Sequence, residues 1–431
     1  RRSATTSRRK PGMTAISGAP GRGRIDIGRF TLRVEHVPGL PLVSSRAFVR
    51  GGARLEPKPG WSHLTGRLLA EGTARHSFGD LVEAAESRGA WQQTYGTVET
   101  IGAVVDTVAV DWRWALDHLL ELLLEPAFPE ERLDWLRRQV QAELESMKDQ
   151  PDVRTNLAFL DQLFAPHPYG RPVQGDAASL AELTAADCRA WHRRSLGWGG
   201  CLSVAGAVDV DAVLAHLEPR FRDLEAQAAA ESPPSPPAPA GSAGRRVVEL
   251  RGSEQAHLFL GLRTVERTHP DLAALELLGV VLGAGGLSGR LPLELRERRG
   301  LAYHVDVSTV AGCGLDPGRF SVYIGTSPRH LEQAERSIRD ELARLLEDGV
   351  GEDELEEARG YLLGRAPFRL ETLRQRVEMM AVAAIYGTRD DEPDWWPGKL
   401  RAVTADDVDR AARRWLDLDA LSVTVGVPPS G

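Results

Sequence analysis

Apolar and polar residues alternate along RFTLRVEHVPGLPLVSSRAFVRGG, residues 29–52, with a Pro/Gly break between two runs, which predicts two strands around a turn. The period then lengthens. WSHLTGRLLAEG at 61–72 carries apolar side chains at helical spacing, as do WRWALDHLLELLLEPAF at 112–128 and PEERLDWLRRQVQAELESMKDQ at 129–150, the last opening on Pro and two acids as helix starts often do. CLSVAGAVD at 201–209 returns to strand. The second half runs through the same order. A strand at QAHLFLGLRTV (255–265) leads to a helix at PDLAALELLGVVLG (270–283), then to strands LAYHVDVSTV (301–310) and GRFSVYIGT (318–326). Two helices come next, HLEQAERSIRDELARLLEDG (330–349) and EDELEEARGYLLGRA (352–366). An order of strand, helix, strand pair and helix pair met twice predicts two homologous α+β domains, each a mixed, mainly antiparallel sheet with helices packed on one face.

Composition marks the join. AQAAAESPPSPPAPAGSAGRR, residues 226–246, replaces periodic apolar residues by Pro, Ala, Ser and Gly, which cannot bury enough surface to fold and favour an extended chain. The expected layout is a disordered basic leader (residues 1–24), an N-terminal domain (25–228), a Pro-rich linker (229–246) and a C-terminal domain (247–431). The leader is rich in Arg, Ser and Gly, holds no acid, and has no apolar run of signal-peptide length. No stretch has the apolar length of a membrane span. A cytoplasmic location is expected, or a periplasmic one if a signal peptide has been removed. The net charge of −8 argues against nucleic acid as a partner, because phosphate binding needs clustered cations. Cys188, Cys201 and Cys313 form no CxxC pair, so neither a disulfide framework nor a thiolate zinc site is indicated.

The candidate chemistry starts in GWSHLTGRLLAEGT, residues 60–73. On a helix, positions three and four apart share a face, so two His and an intervening Glu in H-x-x-E-H can hold zinc and polarise its water. Here that register reads His63, Leu64, Thr65, Gly66, Arg67. Further pieces lie downstream: Glu143 in RRQVQAELES, HPYGRPVQG at 167–175, and GLSGRLPLELRERRGLAYHV at 286–305. Together with GGARLE before the helix, AEGT after it and LEPAFPEERL, they resemble the pitrilysin/insulinase-type metallopeptidases, which include the mitochondrial processing peptidases and their two-domain bacterial relatives.

The resemblance implies two duplicated domains in a clam-like half-chamber. It places His63 on the first zinc ligand, Gly66 on the catalytic Glu, Arg67 on the second ligand and Glu143 on the third. Leu136 stands where active members usually carry a supporting acid. Two ligands facing a guanidinium cannot make an open three-ligand zinc site, since Arg stays charged and opposes a dication. Arg67 is therefore expected to take the metal's place and pair with Glu143. The resemblance also implies an Arg/Tyr pair, spaced seven residues apart in the second domain, that binds the peptide backbone and stabilises the tetrahedral intermediate. In LRERRGLAY this is Arg296 and Tyr303, donors suited to a developing oxyanion. GAGGLSGR lacks the register of a nucleotide loop and reads as a turn. His167, between two prolines, reads as structural, and His76, His257 and His304 show no ligand spacing.

These positions support three readings. The chain is expected to be the non-catalytic subunit of a heterodimeric zinc peptidase, inactive alone. It would bind peptide or unfolded polypeptide, with no cofactor of its own, while a homologous partner with an intact H-x-x-E-H motif supplies zinc. The alternative is an inert structural or peptide-binding scaffold of the same fold. An independent peptidase is disfavoured, because no second zinc motif or nucleophile elbow occurs.

Overall fold

The computed structural model describes residues 15–17, 21–227, 232–285, 288–302, 304–388 and 392–429. Seven strands form the first sheet: β1 (Ala15–Ser17), β2 (Arg22–Ile27), β3 (Phe30–His36), β4 (Leu42–Arg50), β5 (Trp91–Gly96), β6 (Thr100–Val108) and β7 (Gly200–Gly206). Five form the second: β8 (Gly244–Glu249), β9 (Ala256–Arg263), β10 (His304–Ala311), β11 (Arg319–Thr326) and β12 (Ser422–Val427). The two runs at 29–52 are β3 and β4, yet they are not neighbours, because β7 lies between them, parallel to β3 and antiparallel to β4.

The strand orders prove the repeat. The first sheet runs β1-β2-β3-β7-β4-β6-β5 and the second β10-β11-β9-β12-β8. Reversed, the second order matches β3-β7-β4-β6-β5 strand for strand. The parallel pair also falls in the same place, β3 with β7 and β8 with β12, the other pairs being antiparallel. The fold is thus two α+β copies with mixed, mainly antiparallel sheets.

Period-two alternation gives each sheet an apolar and a polar face. In the second sheet Leu258, Leu260, Val322, Ile324, Val423 and Val425 point into a core shared with the helices Leu272–Leu282, Leu331–Asp348 and Ala405–Trp415. The alternate positions are not left bare. The helix Pro151–Phe164 lies on that opposite face, with Phe159 fully buried and its ring 5.7 Å from Phe259 of β9. In the first sheet the helix Leu373–Tyr386 does the same. Its Leu373 and Val377 pack on Ala205, Arg33 donates to the Met380 carbonyl at 3.1 Å, and Arg50 donates to those of Ala384 and Ile385. Helices therefore cover parts of both faces of each sheet.

These two helices occupy equivalent places in the repeat, but each belongs to the other half of the sequence. The compact units are accordingly discontinuous: one is residues 1–137, 178–234 and 370–385, the other 138–177, 235–369 and 386–431. The division at the Pro-rich segment is a division of the sequence, whereas the units follow burial. Part of the leader also carries structure, since β1 and the start of β2 fall before residue 25, while residues 1–14 and 18–20 lie outside the described residues. Residues 232–243 have no regular structure, but their end is fixed. Ala240 and Ser242 donate to the carbonyls of Ala165 and Gln162, and Gly244 already begins β8. Among the described residues no helix is long and apolar enough to cross a membrane.

One buried group in the first unit makes stability depend on pH. His192, in the helix Ala185–Gly197, sits under Phe128 with Nε2 2.7 Å from the Leu123 carbonyl oxygen. Burial lowers its pKa from 6.5 to about 4. Between those values the unfolded chain binds a proton that the native ring refuses, so stability falls as pH drops through this window. The expected loss from this group is about 3 kcal/mol. Urea unfolding at pH 7 and pH 4 should show that part of the loss abolished in His192→Gln.

Candidate functional site

The helix carrying His63 spans Trp61–Leu68 and is held at its start by a side chain outside it. Gly60 has no side chain to cap with. Instead, buried Glu56, from GGARLE, accepts from the backbone N–H groups of Gly60 at 2.9 Å and Ser62 at 2.8 Å. A carboxylate there satisfies orphan donors and meets the positive end of the helix dipole. Ser62 Oγ donates to the Gly51 carbonyl and accepts from the Trp191 indole, tying the helix to the strand end and to the helix Ala185–Gly197. The helix stops at Leu68 rather than near Gly72, because Gly72 and Thr73 enter bridges to Ser77 and Pro126.

Gly66 faces the backbone of the edge strand β5. A Cβ at position 66 would lie 2.3 Å from the Tyr95 carbonyl and from the Gly96 nitrogen. Gly96 answers in kind: a Cβ there would lie 2.0 Å from the Ser62 oxygen and 2.8 Å from His63 Cα. Helix and strand thus approach through two glycines, closer than any side chain permits. Thr94 Oγ1 adds a bond to the Arg67 carbonyl at 3.3 Å. A carboxylate at 66 has no space to occupy in this packing.

Zinc, which the resemblance implies for active members, therefore does not fit the motif positions on this helix. His63 is a metal donor; Gly66 offers no carboxylate, and the Arg67 guanidinium cannot be deprotonated to become a ligand. Among the described residues, no group of three or more His, Cys, Asp or Glu side chains is gathered as a metal site. Glu143 is on the helix Glu130–Lys148, beyond Arg137, and belongs to the second compact unit, whereas His63, Gly66 and Arg67 belong to the first. Leu136 is buried in the first unit.

Two of the sequence pieces that carry the resemblance meet directly. Glu71 of AEGT is ion-paired with Arg132 of PEERL, whose guanidinium lies over the rings of Phe78 and Trp135 at 4.2 and 4.6 Å. Burial pushes the Glu71 carboxyl above its ordinary pKa, against the lowering effect of Arg132 and of the Arg67 charge. Next to it, buried Glu121 accepts from Thr73 Oγ1 at 2.6 Å and Arg75 at 2.9 Å, with His76 Nδ1 at 2.7 Å. Residues 71–79 line an open cleft of about 530 Å³ with Arg132 and Pro129. Sequence reasoning singled out AEGT and LEPAFPEERL without assigning these roles; the signal was an acid in each apolar-flanked piece that burial obliges to find a cation.

In the second unit, Arg290 holds Glu354 through two bonds, Nε to Oε1 at 2.8 Å and a terminal nitrogen to Oε2 at 2.6 Å. Buried Glu294 anchors the succeeding turn, paired with Arg298 and Arg299. Arg296 lies between these anchors in a π-helical turn, Leu293–Arg298, and its Nε donates to Glu297 at 2.8 Å. Tyr303 lies outside the described residues. Gly286 and Leu287 of GAGGLSGR do too. His167 is buried: Nδ1 accepts from the Tyr169 N–H, and Nε2 sits 3.2 Å from Asp316, fixing the HPYGRPVQG loop on the β10–β11 connection.

The glycine contact makes a direct prediction. Rebuilding the motif as Gly66→Glu with Arg67→His should yield a chain that binds no stoichiometric zinc and is destabilised by about 1–3 kcal/mol, the range for forcing atoms into a packed site. Metal analysis of the purified variant and its denaturation midpoint are the measurements, and tight zinc binding at wild-type stability would refute the steric account.

Comparison with known proteins shows the family. The family described as Insulinase (Peptidase family M16) matches residues 34–177, and that described as the Peptidase M16 inactive domain matches residues 200–362. An uncharacterized zinc protease of Streptomyces coelicolor is 30% identical over 418 residues, covering 93% of this chain and 89% of that protein. Another, of Mycobacterium tuberculosis, is 28% identical over 413 residues, covering 95% and 93%. The crystal structure of a peptidase M16 inactive domain from Pseudomonas fluorescens superposes with a TM-score of 0.84 at 24% identity, over 97% of this chain and 99% of that one. The relatives span nearly the whole chain, including both copies of the repeat and the segment that joins them, and the chain belongs to the M16, or insulinase, family of peptidases.

Proposed function

We propose that this chain is the non-catalytic subunit of a two-chain zinc peptidase of the M16 family. A homologous partner with an intact H-x-x-E-H motif supplies zinc, water and base. This chain supplies peptide binding and, through Arg296 and Tyr303, donors for the tetrahedral oxyanion. The observation that carries the reading is the Gly66–Gly96 approach, which leaves no space for the general base, beside an arginine at the second ligand position. The pairing of Arg67 with Glu143 is part of the same proposal. In a double-mutant cycle, Arg67→Ala and Glu143→Gln should couple in stability by about 1 kcal/mol or more.

One observation favours a second reading, an inert scaffold or peptide-binding protein of the same fold. Arg296 donates through Nε to Glu297, its sequence neighbour, a bond that a purely structural arginine also makes. Mixing decides between the two. Alone, the chain should cleave no peptide and hold no stoichiometric zinc. Combined with an intact-motif homologue from the same organism, it should restore proteolysis. Arg296→Ala should then lower kcat by about 10²-fold or more, as loss of an oxyanion donor does, without dissociating the pair. Unchanged kcat in Arg296→Ala and Tyr303→Phe mixtures would favour the scaffold.

A further inference from the structure

The polar face of the second sheet is only partly covered. The helix Pro151–Phe164 packs over β12 and β9, whereas β10 is an edge strand beyond β11. On the uncovered part, register places Tyr323 of β11 between Phe259 of β9 and Asp306 of β10. The Tyr323 ring stacks on Phe259 with centroids 4.6 Å apart, lies parallel to His257 at 6.1 Å, and is tilted against exposed His304 at 5.9 Å. Its hydroxyl is 3.1 Å from His257 Nδ1, which fixes the ring. Phe259 is backed in turn by fully buried Phe159. The result is a rigid aromatic shelf with Tyr323 half-buried at its open side.

Asp306 is exposed beside the shelf, and Asp152, exposed in the first turn of the covering helix, acts on both His257 and Tyr323. Neither carboxylate is ion-paired with any described residue. Burial holds His257 below its ordinary pKa despite Asp152, so the ring is neutral near pH 7 and adds no opposing charge. Arg319, on the same face of β11 and opposite Ala311, feels the Asp306 carboxylate and offsets part of its charge, whereas Asp152 acts on the shelf from the covering helix. An aromatic face flanked by two carboxylates free of salt bridges suits a cation carried on an aliphatic or planar stem.

We infer that the shelf formed by Phe259, Tyr323 and His257, with Asp152 and Asp306 beside it, holds a lysine or arginine side chain of a bound peptide. The inference rests on the proposed peptide binding and gives it a preference for basic sequence. β10 begins at His304, directly after Tyr303, so the shelf adjoins the segment assigned to the peptide backbone.

The test uses the full chain without a partner and two fluorescein-labelled, unstructured peptides that differ only in a central Arg or Met. Fluorescence anisotropy should show the Arg peptide bound about tenfold more tightly at low salt, an advantage that shrinks as salt rises. The advantage should fall to about twofold or less in Asp152→Asn/Asp306→Asn and in Tyr323→Leu, each variant retaining a cooperative melting transition. Equal binding of both peptides overturns the shelf and leaves peptide binding standing. A preference that survives the Asp substitutions overturns it as well. If neither peptide binds, the peptide-binding reading falls and the shelf with it.

Discussion

A sheet that buries one face still owes its other face a partner, and here each sheet takes one from the opposite half of the chain. The helix Leu373–Tyr386 lies on the first sheet, where Arg33 and Arg50 reach the carbonyls of its last turns and Arg46 pairs with Glu378. Cations at a helix C-terminus satisfy orphan carbonyls and the dipole together, so the contact is directional as well as apolar. Without that helix, arginines on β3 and β4 would lose acceptors in a half-buried setting. The helix Pro151–Phe164 does the equivalent for the second sheet with aromatic packing. The central strands are fixed by these exchanged helices, and the placement of everything laid against them, the motif helix included, depends on that order.

The motif helix shows a position closed by facing backbone rather than filled by a side chain. Gly66 carries no side chain, and Gly96 lets strand β5 come directly against it. Position 67 then carries a charge that repels the metal. The first feature is steric and the second electrostatic. Glu56, Ser62 and Trp191 hold the start of the helix in place.

Much of this was legible in the sequence, unevenly. Alternation located β3, β4, β7, β9, β10 and β11, and the repeat emerged from their order because local patterning is what strands and amphipathic helices require. His63, Gly66 and Arg67 could be set on one helix from spacing alone. The exchange of helices could not be read. Phe159, Leu163 and Phe164 announce a buried face, but nothing local says which sheet buries it. The approach of Gly66 to Gly96 was equally silent, since two glycines thirty residues apart carry no sign that they touch. Nothing in HLFLG or SVYIG says that the two pair, and only the register of β9 against β11 shows that Phe259 and Tyr323 stand side by side.

The exchanged helices also change what the Pro-rich segment is for. Residues 232–243 look like the one joint between two halves, yet each half of the sequence contributes a buried helix to the other's compact unit. A nick in that segment would divide the chain without dividing the fold. The two fragments would each be incomplete alone, with an uncovered sheet face and a stray apolar helix, and complete only together. In physical terms the protein is a fragment-complementation pair that happens to be covalently joined.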